Sequence, residues 1–569
     1  MRAPDGPGHL PSPPGAGTIT ADPRLRGNMA ARSLRKSLTG ATFAFAAVAM
    51  LPRIAPAQQP AAVTYPPSFQ EPMPLHATLG NFQRKITTNS QEAQQFFDQG
   101  VRLIYAFNLM EASRSFREAE KRDSSCAMCF FGEAWSWGAY LNGAMTAQNA
   151  PRAYAAIQQA VKLRDKTSPV ERELIDAMAL RYVAVHDAAT RARLDSTYSR
   201  AMEKVYARFR NDMEVGFLYA ESLMLLNRSR GTYRLEQAHV QKFHAVLDAL
   251  LDRNLDHPGV CHLYIHATEA TQKPDLAEAC ALLLGNTIPG ASHINHMPSH
   301  TFNRIGRWGD AVRANLDAWH TDQKAIAGAG VSYSAPHNLQ MLLFAAAYDG
   351  QSAISTQASR DYAKVSRGAT QHIALTLTRF GRFDEVLDLR VAPTNDVSRA
   401  EWEFARGYAH LRTGSLDSAR YYLARVDSIG RGTGSGRGGA PATSNSLIAI
   451  VGGILRAELL VQDRNLDSAI KVLEAAGAVE DDMAYAEPEA LPFASRHWLG
   501  AVFLEAKRPA DAERVYREDL VKHPRNGWSL FGLAQALTDQ RKNAEAEKVR
   551  AQLNESWARS DTWLRGSRF

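Results

Sequence analysis

Six histidines of this chain fall at spacings that suit metal ligation. They lie in Asp256-His257-Pro258-Gly259-Val260-Cys261-His262-Leu263-Tyr264-Ile265-His266, in His293-Ile294-Asn295-His296-Met297-Pro298-Ser299-His300, and in Pro336-His337-Asn338. Residues four apart on a helix share a face with their Cβ atoms about 6 Å apart, so His262, His266 and Glu269 project together, as do His296, His300 and Asn303. Neutral imidazole nitrogens are good ligands for zinc, copper, iron or nickel. The same i, i+4 histidine pair occurs in H-E-x-x-H zinc peptidases, but Leu263 and Tyr264 follow His262, so the general-base glutamate of that motif is missing. Two chemistries remain: a metal site without the peptidase signature, and an imidazole-lined pocket that hydrogen-bonds an acid.

The elements that must position these residues are amphipathic helices of about a dozen residues, alternating with short breaks from Gln91 onward and with little that reads as strand. The offsets His262 to His296 and His266 to His300 are both 34 residues. Small residues and aromatics recur where two helices of a hairpin must approach closely: Gly100, Ala112, Phe116 and Ala119; then Gly407, Gly414 and Ala419; then Gly500, Ala512, Tyr516 and Pro524; then Trp528, Phe531, Gly532 and Ala544. In that period and pattern the chain resembles the tetratricopeptide-repeat superfamily from roughly Thr88 to Trp557. The resemblance implies an all-α, right-handed superhelical solenoid of helix hairpins, with the first helix of each lining the concave face. With Ala277, Ala311 and Gly350 setting the register, His293 and His337, then His262 and His296, then His266 and His300, then Glu269 and Asn303 take matching places that face the groove in that superfamily. The groove-facing set is therefore His262, His266, Glu269, His293, His296, His300, Asn303 and His337, of which His262, His266, His296 and His300 are the candidate metal ligands.

A narrower resemblance rests on the strings HPGVCHLYIHATE, HINHMPSHTFNRIGRW and YREDLVKHPRNGWSLFGLAQAL, which are similar to those of a group of exported bacterial repeat proteins. That group reads F-N-H-x-E-A in its first repeat and H-N-L-H in a later one. This chain has Phe107-Asn108-Leu109-Met110-Glu111-Ala112 and His337-Asn338-Leu339-Gln340, so Leu109 and Gln340 replace two donors.

Other residues are read more plainly. His257 precedes Pro258 at a helix start and is expected to cap it or support the site, while His320 and His372 lie off the shared face. Glu133, with Trp135 and Trp137, is placed to close the N-terminal side of the groove, or simply packs. Glu487 and Arg496 flank a Pro-broken stretch, Ala484 to Pro492, that has the composition of a lid; an exposed ion pair or helix-end charge is the plainer account of both. Ser168-Pro169 reads as a helix start and Asn227 to Arg234 as an inserted loop.

The net charge of +7 does not argue for nucleic acid. Seven Arg/Lys against two Asp/Glu in residues 1–57 carry most of it, leaving +2 for the remainder, which is no electrostatic footprint for that partner. From Met29, the basic Arg32, Arg35 and Lys36, the apolar Leu38 to Leu51 and Ala55-Pro56-Ala57 read as a secretory signal with its cleavage site. No later apolar run approaches the roughly 20 residues a membrane span needs. Export, to the periplasm or beyond, permits disulfides among Cys126, Cys129, Cys261 and Cys280. Cys126 and Cys129 form a C-x-x-C without the histidine of a haem site, and Cys261 and Cys280 fall on consecutive helices where a bridge would pin the hairpin.

The expected organisation is an upstream extension and signal over 1–57, an extended segment over 58–87, a main repeat array over 88–427, a Gly-rich linker over 428–444, and C-terminal repeats over 445–569. Three functions fit: a groove for a partner protein or peptide, a zinc, copper or iron protein or metalloenzyme with Glu269 as further ligand or base, and a receptor for a small acidic ligand.

Overall fold

The structure, a computed structural model, describes residues 63–433 and 442–569. The expected signal over 1–57 lies outside the described residues, as does the middle of the Gly-rich segment. The chain from Gln58 onward is one compact unit. Among the described residues it is all-α: helices follow one another from Gln91–Tyr105 to Asn543–Ser556, and the only β pairings are the isolated bridges Tyr140 to Gly143 and Ala291 to Val331.

A single turn geometry, repeated, makes this a solenoid of hairpins. Among the described residues, eight helices that are the first of a hairpin end in a residue with left-handed backbone, followed by an amide that reaches back five residues to a carbonyl, the 6→1 bond that ends a helix and satisfies one of its orphan carbonyls. The left-handed residue is Phe107, Gly306, Gly350, Gly381, Gly414, Arg464, Lys507 or Arg541. The closing bonds, such as Asn108 N to Leu103 O, Arg307 N to Phe302 O and Lys542 N to Leu537 O, are 2.9 Å long. Each turn starts the second helix of a hairpin, as in Gln91–Tyr105 with Leu109–Arg122 and Gly527–Asp539 with Asn543–Ser556.

The packing between hairpins follows the small-residue pattern. Phe116 lies over both Gly100 of its own hairpin and Gly132 of the next, and Tyr516 lies over Gly500 and Gly532 in the same way. A methyl built on Gly532 would meet the Tyr516 ring at 2.2 Å, whereas one on Gly477, inside the Leu466–Asp481 helix, meets nothing closer than Ser495 Oγ at 3.6 Å. Gly532→Ala is thus expected to destabilise by about 1–3 kcal/mol through overpacking. Gly477→Ala is expected to stabilise by about 0.5–1 kcal/mol, because a helix-interior glycine gives up backbone entropy. Opposite shifts in urea midpoint check the pair; equal shifts would mean that the ring yields and the contact is not limiting.

The segment before the first hairpin is extended apart from a short 3-10 turn, Pro67–Gln70, and straps the early repeats. Arg84 pairs with Asp212, Thr87 N donates to Glu171, and Tyr65 OH donates to Glu133.

Of the stretch expected as a linker over 428–444, residues 434–441 lie outside the described residues. Ser428 to Thr433 continues the Leu416–Thr433 helix, which packs directly on Ala442–Gln462. The core has two large clusters, one running from Met73 to Ala358, the other from Leu375 to Phe569. The last repeats also touch the middle ones, with Trp308 Nε1–H donating to Pro524 O at 2.9 Å, Trp528 Nε1–H to Ala347 O at 3.1 Å, and Arg559 pairing with Asp349 at 2.8 Å. Asn445–Gln462 is long and apolar enough to cross a bilayer, but 61% of that window is buried, and Ile450, Val451, Ile454 and Leu455 sit fully inside the core. Disulfides join Cys126 to Cys129 and Cys261 to Cys280.

Candidate functional site

The histidines named above converge in one cleft. His262 and His266 stand on the Pro258–Thr268 helix, which His257 caps by accepting from Val260 N through Nδ1. The next repeat supplies His293, His296 and His300, but its first helix is broken into Ser292–His296 and Pro298–Arg304, because Pro298 has no amide to extend the ladder. His337 lies in the first turn of Ala335–Tyr348. Ring centroids run from neighbour to neighbour without a gap: His262 to His293 at 4.9 Å, His293 to His296 at 5.8 Å, His296 to His337 at 4.7 Å, and His266 to His300 at 5.8 Å.

Partners on one nitrogen decide what the other presents. His262 Nδ1–H donates to the Tyr105 carbonyl at 2.5 Å, and His266 Nδ1–H to Glu269 at 3.1 Å. His296 Nδ1–H donates to Asn315 Oδ1 at 2.7 Å, and the Asn315 amide is held in that sense by its own bond to Ala311 O. His300 Nδ1–H donates to Glu487, and Glu269 Oε2 lies 3.0 Å from the same nitrogen. A carbonyl or carboxylate has no hydrogen to give, so each Nδ1 carries one. The Nε2 atoms are then left facing one another, His262 to His266 at 3.2 Å and His296 to His300 at 2.8 Å. His293 is buried with neither ring nitrogen partnered.

The electrostatics separate His300 from the rest. Burial holds His262, His293 and His296 well below the usual imidazole range, and lowers His266 and His337 to about 4. Burial also acts on His300, but Glu487 and Glu269 outweigh it and raise it to about 10. Glu269, which no solvent reaches, would be pushed up by burial; His266, Arg230 and His300 instead hold it well below the carboxylate range. Burial and the Glu269 charge raise Glu487 to about 7 against the pull of His300.

Every groove-facing residue expected from the sequence is found at or beside this cleft. His266, His293, His300, Asn303 and His337 line a cavity of about 1290 Å³. His262, His296 and Glu269 sit behind them, buried. The stretch from Ala484 to Pro488 lines the opposite wall, so the plainer account of Glu487 as an exposed charge is corrected: the repeat contacts at Trp308 and Trp528 bring this stretch over the cleft, and Glu487 reaches His300 while accepting from Tyr485 OH. Arg496 does form the expected ion pair, with Asp481 at 2.7 Å.

Three contributors carry no spacing signal. Arg230, from the inserted loop, pairs with Glu269 at 2.7 Å. Tyr333 packs on His293 at 4.4 Å between centroids. Phe107 sets its ring on His262 at 4.2 Å and parallel to His266, from a left-handed backbone position that an aromatic adopts only under constraint.

Other candidates lie elsewhere. Glu133 bonds Tyr65, Arg117 and Trp137, and Trp135 Nε1–H donates to Glu221, so these residues form a separate buried network and do not close the groove. His257 Nε2 bonds Glu214, which also accepts from Tyr105 OH, so it supports the residue whose carbonyl orients His262. His320 is exposed, and His372 packs edge-on against Tyr362.

No protein-family model and no curated protein matches the chain. Among solved structures it is similar to the Cut9–Hcn1 hetero-tetramer of APC/C, with 13% identity over 82% of this chain and 74% of that one and a TM-score of 0.27. It is also similar to the TPR domain of P58(IPK), with 10% identity, 79% and 98% covered and a TM-score of 0.21. Naa15/Naa10 bound to HypK-THB gives 11% identity, 82% and 71% covered, and a TM-score of 0.22.

Proposed function

We propose that the chain is an exported tetratricopeptide-like repeat protein that holds a transition-metal ion among the histidines of its groove, and presents that ion to a ligand entering the adjoining cavity. One observation carries the reading: the His262 and His266 Nε2 lone pairs face each other at 3.2 Å with both Nδ1 hydrogens already committed. Two bare lone pairs repel unless a cation lies between them. Two imidazoles at about 2.0–2.1 Å from a tetrahedral zinc ion stand about 3.3 Å apart, which matches. The carboxylate behind His266 is the usual support for a metal-bound histidine, since it fixes the tautomer and raises the ligand's basicity. All-imidazole ligation favours zinc, copper or nickel over magnesium or calcium. The disulfide Cys261–Cys280, on the helix that carries His262, supports an oxidising compartment and with it export.

A helical-repeat groove also suits a partner protein or peptide, which would approach the metal through the same opening. The test is reconstitution of the full chain, stripped with chelator, with zinc or copper, followed by gel filtration and metal analysis. Wild type is expected to retain metal and to gain thermal stability with it, by about 2.7 kcal/mol at a free concentration a hundredfold above Kd; His262→Ala/His266→Ala is expected to lose the ion that this pair holds and the stability that comes with it. Trace metal in reconstituted wild type would end the reading. A thermal shift with small carboxylic acids but not with metal would establish the acid-receptor alternative instead.

A further inference from the structure

We infer that the cleft takes two metal ions, one in each of two histidine triads that open on the same cavity. The inference rests on the proposed metal binding and goes beyond it in stoichiometry and in the chemistry available. The donors divide by geometry. One nitrogen from each of His262, His266 and His293 lies within 4.8 Å of the others, and the same holds for His296, His300 and His337. Each triad contains one i, i+4 pair whose Nε2 atoms already converge, and one further histidine from the matching place in the next repeat. The repeat has in effect copied a half-site, so the second triad is built by the same local rule as the first.

Three imidazoles and an open position are the ligand set of a catalytic ion, and six exceed what one tetrahedral or five-coordinate ion accepts. His293 settles its own membership: it is buried, neither nitrogen has a partner, and its ring stands at 4.9 Å from His262. A buried imidazole with no hydrogen bond is costly unless something else binds it.

The two triads are joined through one carboxylate. Glu269 Oε1 accepts from His266 Nδ1 at 3.1 Å and its Oε2 pairs with His300 Nδ1 at 3.0 Å, so one carboxylate borders a histidine of each half. Both halves also reach the cavity, His266 and His293 from one and His300 and His337 from the other. Two ions facing one space can together hold the oxygens of a single anionic ligand, such as a phosphate or carboxylate. The ions expected are those that favour imidazole, zinc(II), copper(II) or cobalt(II).

The experiment is a cobalt(II) titration of the stripped full chain, read by its visible absorption and by metal analysis after gel filtration. Wild type is expected to saturate at two equivalents. His293→Gln and His337→Gln are each expected to stop at one, and the double variant at none or one weakly held. Glutamine keeps a polar, hydrogen-bonding side chain in each place, and circular dichroism of the stripped variants confirms that they are folded; His337, half-buried in the first turn of its helix, is the safer of the two. Saturation of wild type at one equivalent overturns the two-ion inference while leaving metal binding standing. Two equivalents in wild type that fall to none in either single variant overturn it as well, since the triads would then not be separate sites. No binding in wild type removes both readings together.

Discussion

Glu269→Gln is expected to weaken metal retention by about 10–100-fold, the usual cost of losing the group that orients a ligating histidine. Three nitrogens surround the carboxylate from different directions: His266 Nδ1, which donates to it at 3.1 Å, and Arg230 Nε and His300 Nδ1, which pair with it at 2.7 and 3.0 Å. A glutamine offers one oxygen and one NH2 group. Whichever way it turns, its NH2 meets an N–H, so one imidazole loses its partner and is free to rotate its Nε2 away. The charge is lost as well, which leaves the Arg230 guanidinium with less compensation inside the protein. A competition titration against a chromophoric chelator measures the effect. The Glu269→Gln/His266→Ala double variant should lose less than the two single losses combined, because both changes act on one ligand. A Kd for Glu269→Gln within twofold of wild type would show that the carboxylate does not orient the donors.

The parts of this site that sequence could supply are those that repeat or are local. His262 with His266, and His296 with His300, are each one helical turn apart, and the 34-residue offset copies the pair from one hairpin to the next. Periodicity cannot reach what is brought in by tertiary packing. Glu487 is 187 residues from His300 in the chain, and it arrives only because the C-terminal repeats dock on Trp308 and Ala347. Arg230 comes from an insertion, where repeat register is lost by definition. Phe107 was accessible in principle. It occupies the turn place that Gly306 and Gly350 fill in later repeats, and an aromatic where glycine is favoured signals a side chain needed for something other than the turn. Glu133 and the two tryptophans pack, the plainer of their two sequence readings, and do not reach the groove. Position in a repeat says which face of a helix a residue occupies, but the strap at Tyr65 covers that face here.

Asp519→Asn is expected to destabilise the fold by about 3–5 kcal/mol, the cost of removing one partner from a buried charged cluster. Asp519 is fully buried and accepts from His523 Nδ1 at 2.8 Å, His497 Nε2 at 3.2 Å, Asn526 Nδ2 at 3.0 Å and Ser529 Oγ at 2.6 Å. Glu489 faces the other nitrogen of His523 at 3.0 Å, and the Tyr348 ring stacks on it. Burial alone would lower His523, but Glu489 and Asp519 raise it to about 10. Burial would likewise raise Asp519, but His523 and His497 hold it well below the carboxylate range. The two shifts fix the pH window. His523 binds its proton more tightly in the folded chain, so its contribution is complete below the unfolded value of about 6.5 and disappears as pH rises through about 10. Asp519 binds its proton less tightly when folded, so its contribution is complete above the unfolded value of about 3.9 and is lost as pH falls below it. An asparagine satisfies the donors on one side with its oxygen and turns its NH2 toward His523, which then has to be neutral. The difference in unfolding free energy between wild type and variant should therefore be greatest between about pH 4 and 6.5 and shrink toward pH 10. His300, raised by its own carboxylates, titrates alike in both proteins and cancels from that difference. A difference that stays flat from pH 6.5 to 10 in urea unfolding would mean that His523 is uncharged in the native protein, and that the cluster is held by hydrogen bonds alone.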